Sequence, residues 1–382
     1  YMLQATTSEK VVRYKSTKPK DAFARVLRGR VNAYFKDRNM SMKANAQVKF
    51  KAVLGYIAWF VTYGLILSGL INGSFWGLLL AFQLIGFINI FLAFNIMHDS
   101  CHNAFSDNSK VNRILGYTMN FIGGNSYLFT MMHNAHHSFV NIAGIDVTLE
   151  THGLFRFTPH EPWEPKHKWQ HIYTPMVYAL AMIHWVLVKD FKWMFSELHI
   201  GNSKNITHTA SEYVILFSSK LFYFVVSLAL PLILLDVPAW WIIVAWLNMH
   251  FLPSLAFALL FQCTHVYDGT HYPLPDENGD IENNYFLHVI ETTADFSRKN
   301  RFTTWLTGGI NIHVVHHLFP HINHAHYIPL TEIIKQTADE HGIRYQENPN
   351  FYSALKLHFR MLKMLSKKET TVPQYGASAQ LV

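Results

Sequence analysis

Four long apolar runs dominate the pattern of hydrophobic and polar residues along the chain. The first two cover residues 52–71 and 76–97, and neither contains a charged residue. The other two cover about 214–235 and 239–262 and are separated by a three-residue turn. Each run is about 20 residues long, or roughly 30 Å of helix, which is enough to cross a bilayer. The pattern predicts four membrane spans arranged as two hairpins.

Basic residues set the orientation predicted for these spans. Residues 10–51 carry thirteen Lys and Arg. The positive-inside rule therefore places the N-terminus in the cytoplasm, and each hairpin returns the chain there, at His98 and again at His265. Lys220 lies within the third run and is expected to snorkel to the inner boundary. The apolar run 175–188 is too short to span comfortably and is expected to lie in the membrane interface.

The predicted architecture is an all-α integral membrane protein, with four transmembrane helices in two hairpins and a cytosolic helical cap. The expected segments are a basic cytosolic N-terminal segment (1–47), the first hairpin (48–97), a cap segment (98–213), the second hairpin (214–262), a further cap segment (263–368) and a flexible tail (369–382). Residues 1–20 and the tail after Lys368 are expected to be disordered. No linker divides the chain into independent domains, so one membrane-embedded unit is expected.

The composition agrees with a membrane protein. Half of the 382 residues are hydrophobic and 15% are charged, against about 25% in soluble domains. The net charge of +7 comes from basic residues beside the apolar runs, so we expect no nucleic-acid partner. The two cysteines form no zinc-type pair, whereas 24 histidines are present. Histidine is therefore the candidate metal ligand.

Three histidine clusters repeat the same spacing. They are His98-Asp-Ser-Cys-His102, His133-Asn-Ala-His136-His137 and His313-Val-Val-His316-His317. Residues three or four apart lie on one face of a helix. The first cluster follows the second apolar run, and His265 follows the fourth, so the predicted topology brings these nine histidines to one cytosolic level. The convergence predicts a metal centre.

Nine neutral imidazoles can fill the coordination shells of two metal ions, so we expect the cytosolic helical cap to hold a di-metal site. Imidazole suits iron, zinc, copper and nickel, so the ligand type alone does not choose the metal. A hydrolytic zinc site needs only about three protein ligands, whereas nine histidines imply two centres. Activation of O2 requires a redox metal, which zinc is not. Iron is therefore expected, and recombinant protein can hold zinc instead.

Two carboxylates lie beside the first two clusters. Asp99 and Asp146 are candidates to accept the second N–H of a ligand and so to fix its tautomer, and hydrogen bonding within a helix or turn is the alternative. Six further histidines are expected outside the ligand set: His167 and His171 in a Pro-rich segment, His250 hydrogen-bonded inside the fourth span, and His321, His324 and His326 after the third cluster.

At these clusters the chain resembles the membrane fatty acid desaturases, most closely the front-end, linoleoyl-CoA-desaturase-like branch, over roughly residues 48–365. The stretches ILGYTMNFIGGNSYLF, HHSFVNIAGID and GGINIHVVHHLFPHINHAHY carry the likeness beyond the clusters. The resemblance implies two irons above a bent acyl tunnel, with these ligands: His98, His102, His133, His136, His137, His265, His313, His316 and His317. The branch commonly has Gln where this chain has His313, so the position of the double bond is left open.

The resemblance also implies the reaction. An O2-dependent desaturase would introduce a double bond into a long acyl chain carried on CoA, a carrier protein or a membrane lipid. No His-Pro-Gly-Gly segment of a fused haem domain is present, so an external donor such as ferredoxin or cytochrome b5 is expected. The alternatives are an acyl hydroxylase or acetylenase, a metal-transporting membrane protein with histidines at mid-membrane, and a seven-span zinc hydrolase, for which four spans are too few.

Overall fold

The computed structural model describes residues 11–16, 18–71, 73–197 and 200–369, and helices dominate it. The helices of the first half are α1 (Lys18–Asp37), α2 (Ala46–Leu67), α3 (Phe75–Leu92), α4 (His98–Cys101), α5 (Ser109–Gly116), α6 (Thr118–Phe121), α7 (Ser126–Phe139), α8 (Gln170–Ala179), α9 (Ala181–His184) and α10 (Asp190–Phe195). Those of the second half are α11 (Ala210–Phe224), α12 (Leu230–Leu234), α13 (Ala239–His265), α14 (Tyr285–Thr292), α15 (Arg301–Leu306), α16 (His313–Leu318), α17 (Tyr327–Glu340) and α18 (Phe351–Leu365).

Shorter elements join these helices. The π-helical turns are Ala93–Met97, Trp185–Lys189 and Val225–Ala229, and the 3-10 turns are Pro165–Trp169 and His324–His326. Two-residue strands form two parallel pairs: β1 (Arg13–Tyr14) with β2 (Asp280–Ile281), and β3 (Asp295–Phe296) with β4 (Glu347–Asn348).

Within the part of the chain that the structure describes, four helices are long and apolar enough to cross a membrane, which confirms the number predicted. They are span 1 (Ala46–Leu67), span 2 (Phe75–Cys101), span 3 (Ala210–Leu234) and span 4 (Ala239–His265). Span 1 begins and ends earlier than the predicted run. The Asn45 side chain caps it by accepting the N–H of Val48, and Gly69 adopts a φ of 79° just beyond its end. Spans 2 and 4 are longer than predicted and carry their terminal histidines on or next to the helix.

Span 2 lies directly against span 4. A Cβ added to Gly86 would come within 2.0 Å of the Met249 carbonyl oxygen, so the two backbones approach as closely as glycine allows. The outer faces of the spans are apolar and exposed, as at Phe50, Leu80 and Leu221. The spans therefore bury one face against each other and leave the other for an apolar surrounding.

Lys220 does not snorkel, and that prediction is wrong. Its side chain is buried, its Nζ lies 2.8 Å from Asp190 Oδ2, and it donates a 2.6 Å hydrogen bond to the carbonyl of Gly123. A buried ammonium needs a paired charge and acceptors, and α10 supplies the charge by folding back onto span 3.

The apolar run 175–188 is not one helix. Helix α8, with the 3-10 turn before it, and the segment Ala181–Phe195 meet at an angle of 60°, and together they could count as a fifth, broken span by length and composition. The Ser254 hydroxyl of span 4 donates to the Tyr178 carbonyl at 2.6 Å and accepts the N–H of Met182 at 2.9 Å. One side chain of span 4 thus satisfies the backbone groups that the break exposes.

The N-terminal segment packs onto the C-terminal half. Strand β1 pairs with β2, Arg13 forms a 2.6 Å ion pair with Asp280, and α1 buries Phe23 and Leu27 in a core shared with α14, α16 and α17. Disorder was predicted for residues 1–20 and is wrong for those of them that the structure describes. Residues 1–10 and the tail from residue 370 lie outside the described residues.

Candidate metal centre

Four helical elements bring the nine predicted histidines together. His98 and His102 stand at the end of span 2, α7 carries the second cluster, α16 carries the third, and His265 is the last residue of span 4. Helix α7 begins at a cap in which the Asn125 side chain accepts the N–H of Leu128. The histidine rings of the different elements are in contact, as for His98 and His316 with centroids 4.3 Å apart. The convergence predicted from the topology is present.

Two groups of ring nitrogens form within this cluster. In each group, one nitrogen from every histidine lies within 4.8 Å of the others. The first group is His98, His102, His133 and His316, and the second is His136, His265 and His317. The closest approaches are 2.9 Å between the Nε2 atoms of His98 and His133, and 3.2 Å between those of His136 and His265. Two adjacent sets of convergent donors fit two metal ions.

His137 and His313 complete the set of nine beside these two groups. The ring of His137 lies between the two groups. Its centroid is 4.4 Å from the ring centroid of His316 and 4.2 Å from that of His317. The ring of His313 lies 4.8 Å from both His265 and His317. All nine predicted ligands therefore lie in one cluster, with seven in the two groups and two beside them.

Partners outside the cluster orient several of these rings. The Nδ1–H of His136 donates to the Asp146 carboxylate at 2.9 Å, and that of His313 donates to the Ile310 carbonyl at 3.0 Å. The Nδ1 atom of His316 lies 3.2 Å from the Tyr327 hydroxyl. Because donation through Nδ1 leaves a lone pair on Nε2, His136 and His313 present metal-binding atoms to the cluster.

Unsatisfied nitrogens mark the interior of the cluster. The Nε2 atoms of His102, His313 and His316 are buried and make no hydrogen bond. Leaving a buried polar atom without a partner costs about 1–3 kcal/mol, so several in one place need an explanation. Metal ligation would satisfy these atoms, and the donor set of neutral imidazoles fits iron or zinc.

Burial also keeps these rings neutral. It lowers the pKa of His102 and of His313 to about 3, and it lowers the pKa of His133 and His316 well below the ordinary range, with neighbouring histidines adding to the effect. A protonated imidazole has no lone pair to give. The low pKa values therefore keep these groups in the form that binds a metal at neutral pH.

The hydrogen bonds of the Asp99 carboxylate go to residues outside the nine histidines. Its Oδ2 atom accepts a 2.6 Å bond from Nδ1 of His324 and a 2.7 Å bond from Nδ2 of Asn323. On its other side His324 accepts from Lys51 Nζ at 3.0 Å. Of the two candidate carboxylates, Asp146 thus contacts one of the nine histidines, His136. Asp99 instead contacts His324, which is not among the nine.

His167 and His250 have hydrogen-bonding partners outside the cluster. His167 caps the turn before α8 by accepting the N–H of Glu164, and its Nε2 atom lies 2.9 Å from the Gly153 carbonyl oxygen. His250 lies 2.9 Å from the Tyr223 hydroxyl inside the bundle of spans. The contact of His250 with Tyr223 is the hydrogen bond expected inside the fourth span, and the contacts of His167 give it a structural role.

An apolar cavity opens beside His98. Its walls come from span 2, from span 4 and from the bent segment, with about 560 Å³ of space between the lining atoms, some of it open. Phe94 and Phe257 stack on each other in its wall with ring centroids 5.5 Å apart, and Trp185 also lines it. The lining is almost wholly apolar and therefore suits a hydrocarbon.

Comparison with known proteins decides the family. The family model described as fatty acid desaturase matches residues 73–349, which is more than half of the chain. The chain belongs to the fatty acid desaturase family. This desaturase is therefore an oxidoreductase that introduces double bonds into acyl chains.

Curated relatives match the desaturase over nearly its whole length. It is 30% identical to an sn-1 linoleoyl-lipid 6-desaturase of Synechocystis sp., over 91% of this chain and 96% of that protein. It is 28% identical to an acyl-lipid (8-3)-desaturase of Mortierella alpina, over 90% and 77%. It is 30% identical to a probable Delta(5) fatty acid desaturase C of Dictyostelium discoideum, over 92% and 78%. These relatives are desaturases of the front-end type.

Sequence reasoning missed several residues around the centre of the desaturase. Tyr327, which contacts His316, and Trp185, which lines the cavity, were not singled out. Tyr327 stands in the HINHAHY stretch next to the third cluster, so its position was a signal. Trp185 lies far from every cluster in sequence, and only the packing of the bent segment brings it to the cavity.

Proposed function

We propose that this chain is an O2-dependent acyl-lipid desaturase of the front-end type, and that its nine clustered histidines hold two metal ions, iron in the cell. The observation that supports this most strongly is that His98 lines an apolar cavity while its ring contacts the rings of His102 and His316, whose Nε2 atoms are unsatisfied. His98 therefore belongs both to the histidine cluster and to the wall of a cavity that could hold a hydrocarbon chain.

The reaction requires redox chemistry that side chains do not supply. Bound iron would provide it, so that O2, two external electrons and two protons, together with two hydrogens from adjacent chain carbons, give a double bond and two waters. The protein supplies orientation. The aromatic side chains of Phe94, Phe257 and Trp185 would position the acyl chain and keep water away from the reacting carbons.

The metal-binding side chains need fixed positions. Asp146 holds His136 through its Nδ1–H, and the Ile310 carbonyl holds His313 in the same way. Such partners set the ring orientation and raise the basicity of the ligand nitrogen. We therefore assign Asp146 a positioning role at this centre.

The proposed membrane arrangement follows the apolar surfaces. The four spans would form two hairpins, with the N-terminus and the histidine cluster on the cytoplasmic side, because thirteen Lys and Arg lie between residues 10 and 51. The bent segment would lie in the interface, since Ile172, Met176 and Leu187 expose apolar side chains there.

The substrate and the electron donor follow from the same surfaces and from the relatives. Relatives whose names specify acyl lipids support a lipid-linked acyl chain as the substrate. Exposed Arg25 and Lys36 on α1 offer positive charge to an acidic carrier such as ferredoxin or cytochrome b5. Both assignments are open to direct measurement.

The decisive experiment is mass spectrometry of total fatty acids, with double-bond positions determined, from cells expressing the chain or its His137→Ala variant. We expect a species two mass units lighter than its precursor, present with the wild type and absent with the variant. A species sixteen units heavier would indicate a hydroxylase instead. No difference between the two cultures, with both proteins expressed and a carrier supplied, would contradict the proposal.

A further inference from the structure

Trp185 forms one wall of the cavity next to the metal centre. Its indole packs near Phe257 of span 4, with centroids 6.4 Å apart, and near Phe129, with centroids 5.9 Å apart. Phe129 in turn stacks on the ring of His133 at 5.0 Å and an interplanar angle of 24°. A movement of this indole would therefore change the shape of the cavity where it meets the histidines.

A buried charged network holds the indole. Its Nε1–H donates to Asp190 Oδ1 at 2.9 Å, while Asp190 Oδ2 pairs with Lys220 Nζ at 2.8 Å. Asp190 is fully buried and Lys220 is 3% exposed. Lys220 also donates to the carbonyl of Gly123, next to Gly124 in the cavity wall. The network thus joins span 3, the bent segment and the loop before α7.

A second cation lies on the ring. The Nζ atom of Lys189 lies 4.3 Å from the Trp185 centroid and 4.5 Å from that of Trp193. The π-helical turn Trp185–Lys189 places the indole and this ammonium together, and such turns are frequent at functional sites. One edge and one face of the indole are therefore fixed by polar contacts.

Stability alone does not account for this arrangement. Desolvation of a buried ion pair offsets most of its attraction, and apolar side chains of similar volume often serve as well or better. What apolar side chains cannot supply is an acceptor for the indole N–H. The pair keeps a directional acceptor at a fixed point beside the cavity.

We propose that Asp190 and Lys220 are positioning residues that fix Trp185 as a specificity-determining wall, which sets the carbon of the acyl chain that faces the metal centre. The proposal rests on the proposed function, because it requires an acyl chain in this cavity. With the indole held, one register of the chain fits. With the indole released, neighbouring registers fit as well, and double bonds form at more than one position.

Two double variants separate the acceptor from the charges. Asp190→Asn with Lys220→Met removes both charges and keeps an oxygen for the indole, whereas Asp190→Leu with Lys220→Met also removes that oxygen. A matched pair of single variants is Trp185→Phe and Trp193→Phe, since both rings contact Lys189 and only the first lines the cavity. Each is expressed in cells supplied with mixed saturated and unsaturated fatty acids, and positional isomers are quantified by mass spectrometry.

We expect the fraction of minor positional isomers to rise at least about threefold in the Leu/Met double variant and in Trp185→Phe, a change of only about 0.65 kcal/mol in relative barrier. The Asn/Met double variant and Trp193→Phe keep the wild-type fraction. Unchanged isomers in the Leu/Met variant, or an equal rise in the Asn/Met variant or in Trp193→Phe, would overturn the proposal. So would a Leu/Met variant that holds wild-type metal yet makes no product. Absence of product from the wild type would instead contradict the proposed function.

Discussion

Replacement of Asp146 by Asn tests how much the centre depends on support from outside the histidine cluster. The carboxylate accepts from Nδ1 of His136, from the backbone N–H groups of Asn141 and Thr148, and from the Thr148 hydroxyl, all between 2.8 and 3.0 Å. An asparagine can satisfy one side of this arrangement. Its NH2 group would then face N–H donors on the other side, and His136 would lose its anionic acceptor.

The expected magnitude follows from this loss. Removing such an outer partner of a ligating histidine lowers metal affinity by about 10- to 100-fold. Since each factor of ten is about 1.4 kcal/mol, the change corresponds to roughly 1.4–2.8 kcal/mol. The backbone of α7 stays in place because its N-terminal cap at Asn125 is separate from Asp146.

Competition between the purified desaturase and a chelator for Fe(II) measures this affinity. Asp99→Asn is the matched control. Asp99 is also a buried carboxylate next to a cluster histidine in the sequence, but its hydrogen bonds go to His324 and Asn323. We expect Asp146→Asn to release iron at a lower chelator concentration and Asp99→Asn to lose less than about tenfold. Equal affinities for Asp146→Asn and the wild type, or a greater loss in Asp99→Asn, would refute the reasoning.

Three further predictions concern stability. Gly86→Ala puts a Cβ 2.0 Å from a carbonyl oxygen of span 4 and should destabilise the protein by about 1–3 kcal/mol. Gly64→Ala is the control, because its Cβ meets nothing within 4 Å and should not destabilise the protein. Thermal melting in detergent compares the two variants. Lys220→Met alone leaves the Asp190 carboxylate buried without its cation, and should cost about 3–5 kcal/mol in the same assay, more than the double variant with Asp190→Asn. Burial raises the pKa of Glu161 from 4.5 to about 7, so the folded protein keeps a proton that the unfolded chain has lost and its stability falls as the pH rises through that window. Glu161→Gln should therefore melt higher than the wild type at pH 8 and show a flatter dependence between pH 5 and 7.

Each of these predictions has an outcome that contradicts it. Equal melting temperatures for the two glycine variants would mean that the spans separate without cost. A single Lys220→Met variant as stable as the double variant would mean that Asp190 finds another partner. A Glu161→Gln variant with the wild-type pH profile would mean that the carboxyl is ionised in the fold across this range.

The spans were predictable because their signal is local. The length of a charge-free run of about 20 residues can be counted directly in the sequence, and it is enough for a membrane span. Two consecutive spans are expected to bring the chain back to the side on which it started, whatever the details of packing. That constraint alone placed His98 and His265 at one level, and the spacing within each cluster placed its histidines on one helix face. Gathering of the nine histidines therefore followed from information within each segment.

The remainder depends on contacts that no segment encodes by itself. The sequence around Lys220 indicates only a charge near a membrane boundary. Its pairing with Asp190, 30 residues earlier, depends on how α10 folds back onto span 3. At the break near Leu180, the hydroxyl of Ser254 in span 4 bonds to the backbone groups of Tyr178 and Met182, and the sequence of the bent segment does not reveal this partner. Asp99 and Asp146 look equivalent in sequence, and only the direction of each side chain distinguishes them.

The central claim is most directly tested by the metal content of the full chain purified from iron-replete cells, measured by elemental mass spectrometry against protein concentration. We predict two metal ions per chain in the wild type, with a lower content in His316→Ala, which removes one of the unsatisfied nitrogens at the centre of the cluster. A folded wild-type protein that binds fewer than two metals per chain, with His316→Ala unchanged in content, would contradict the account.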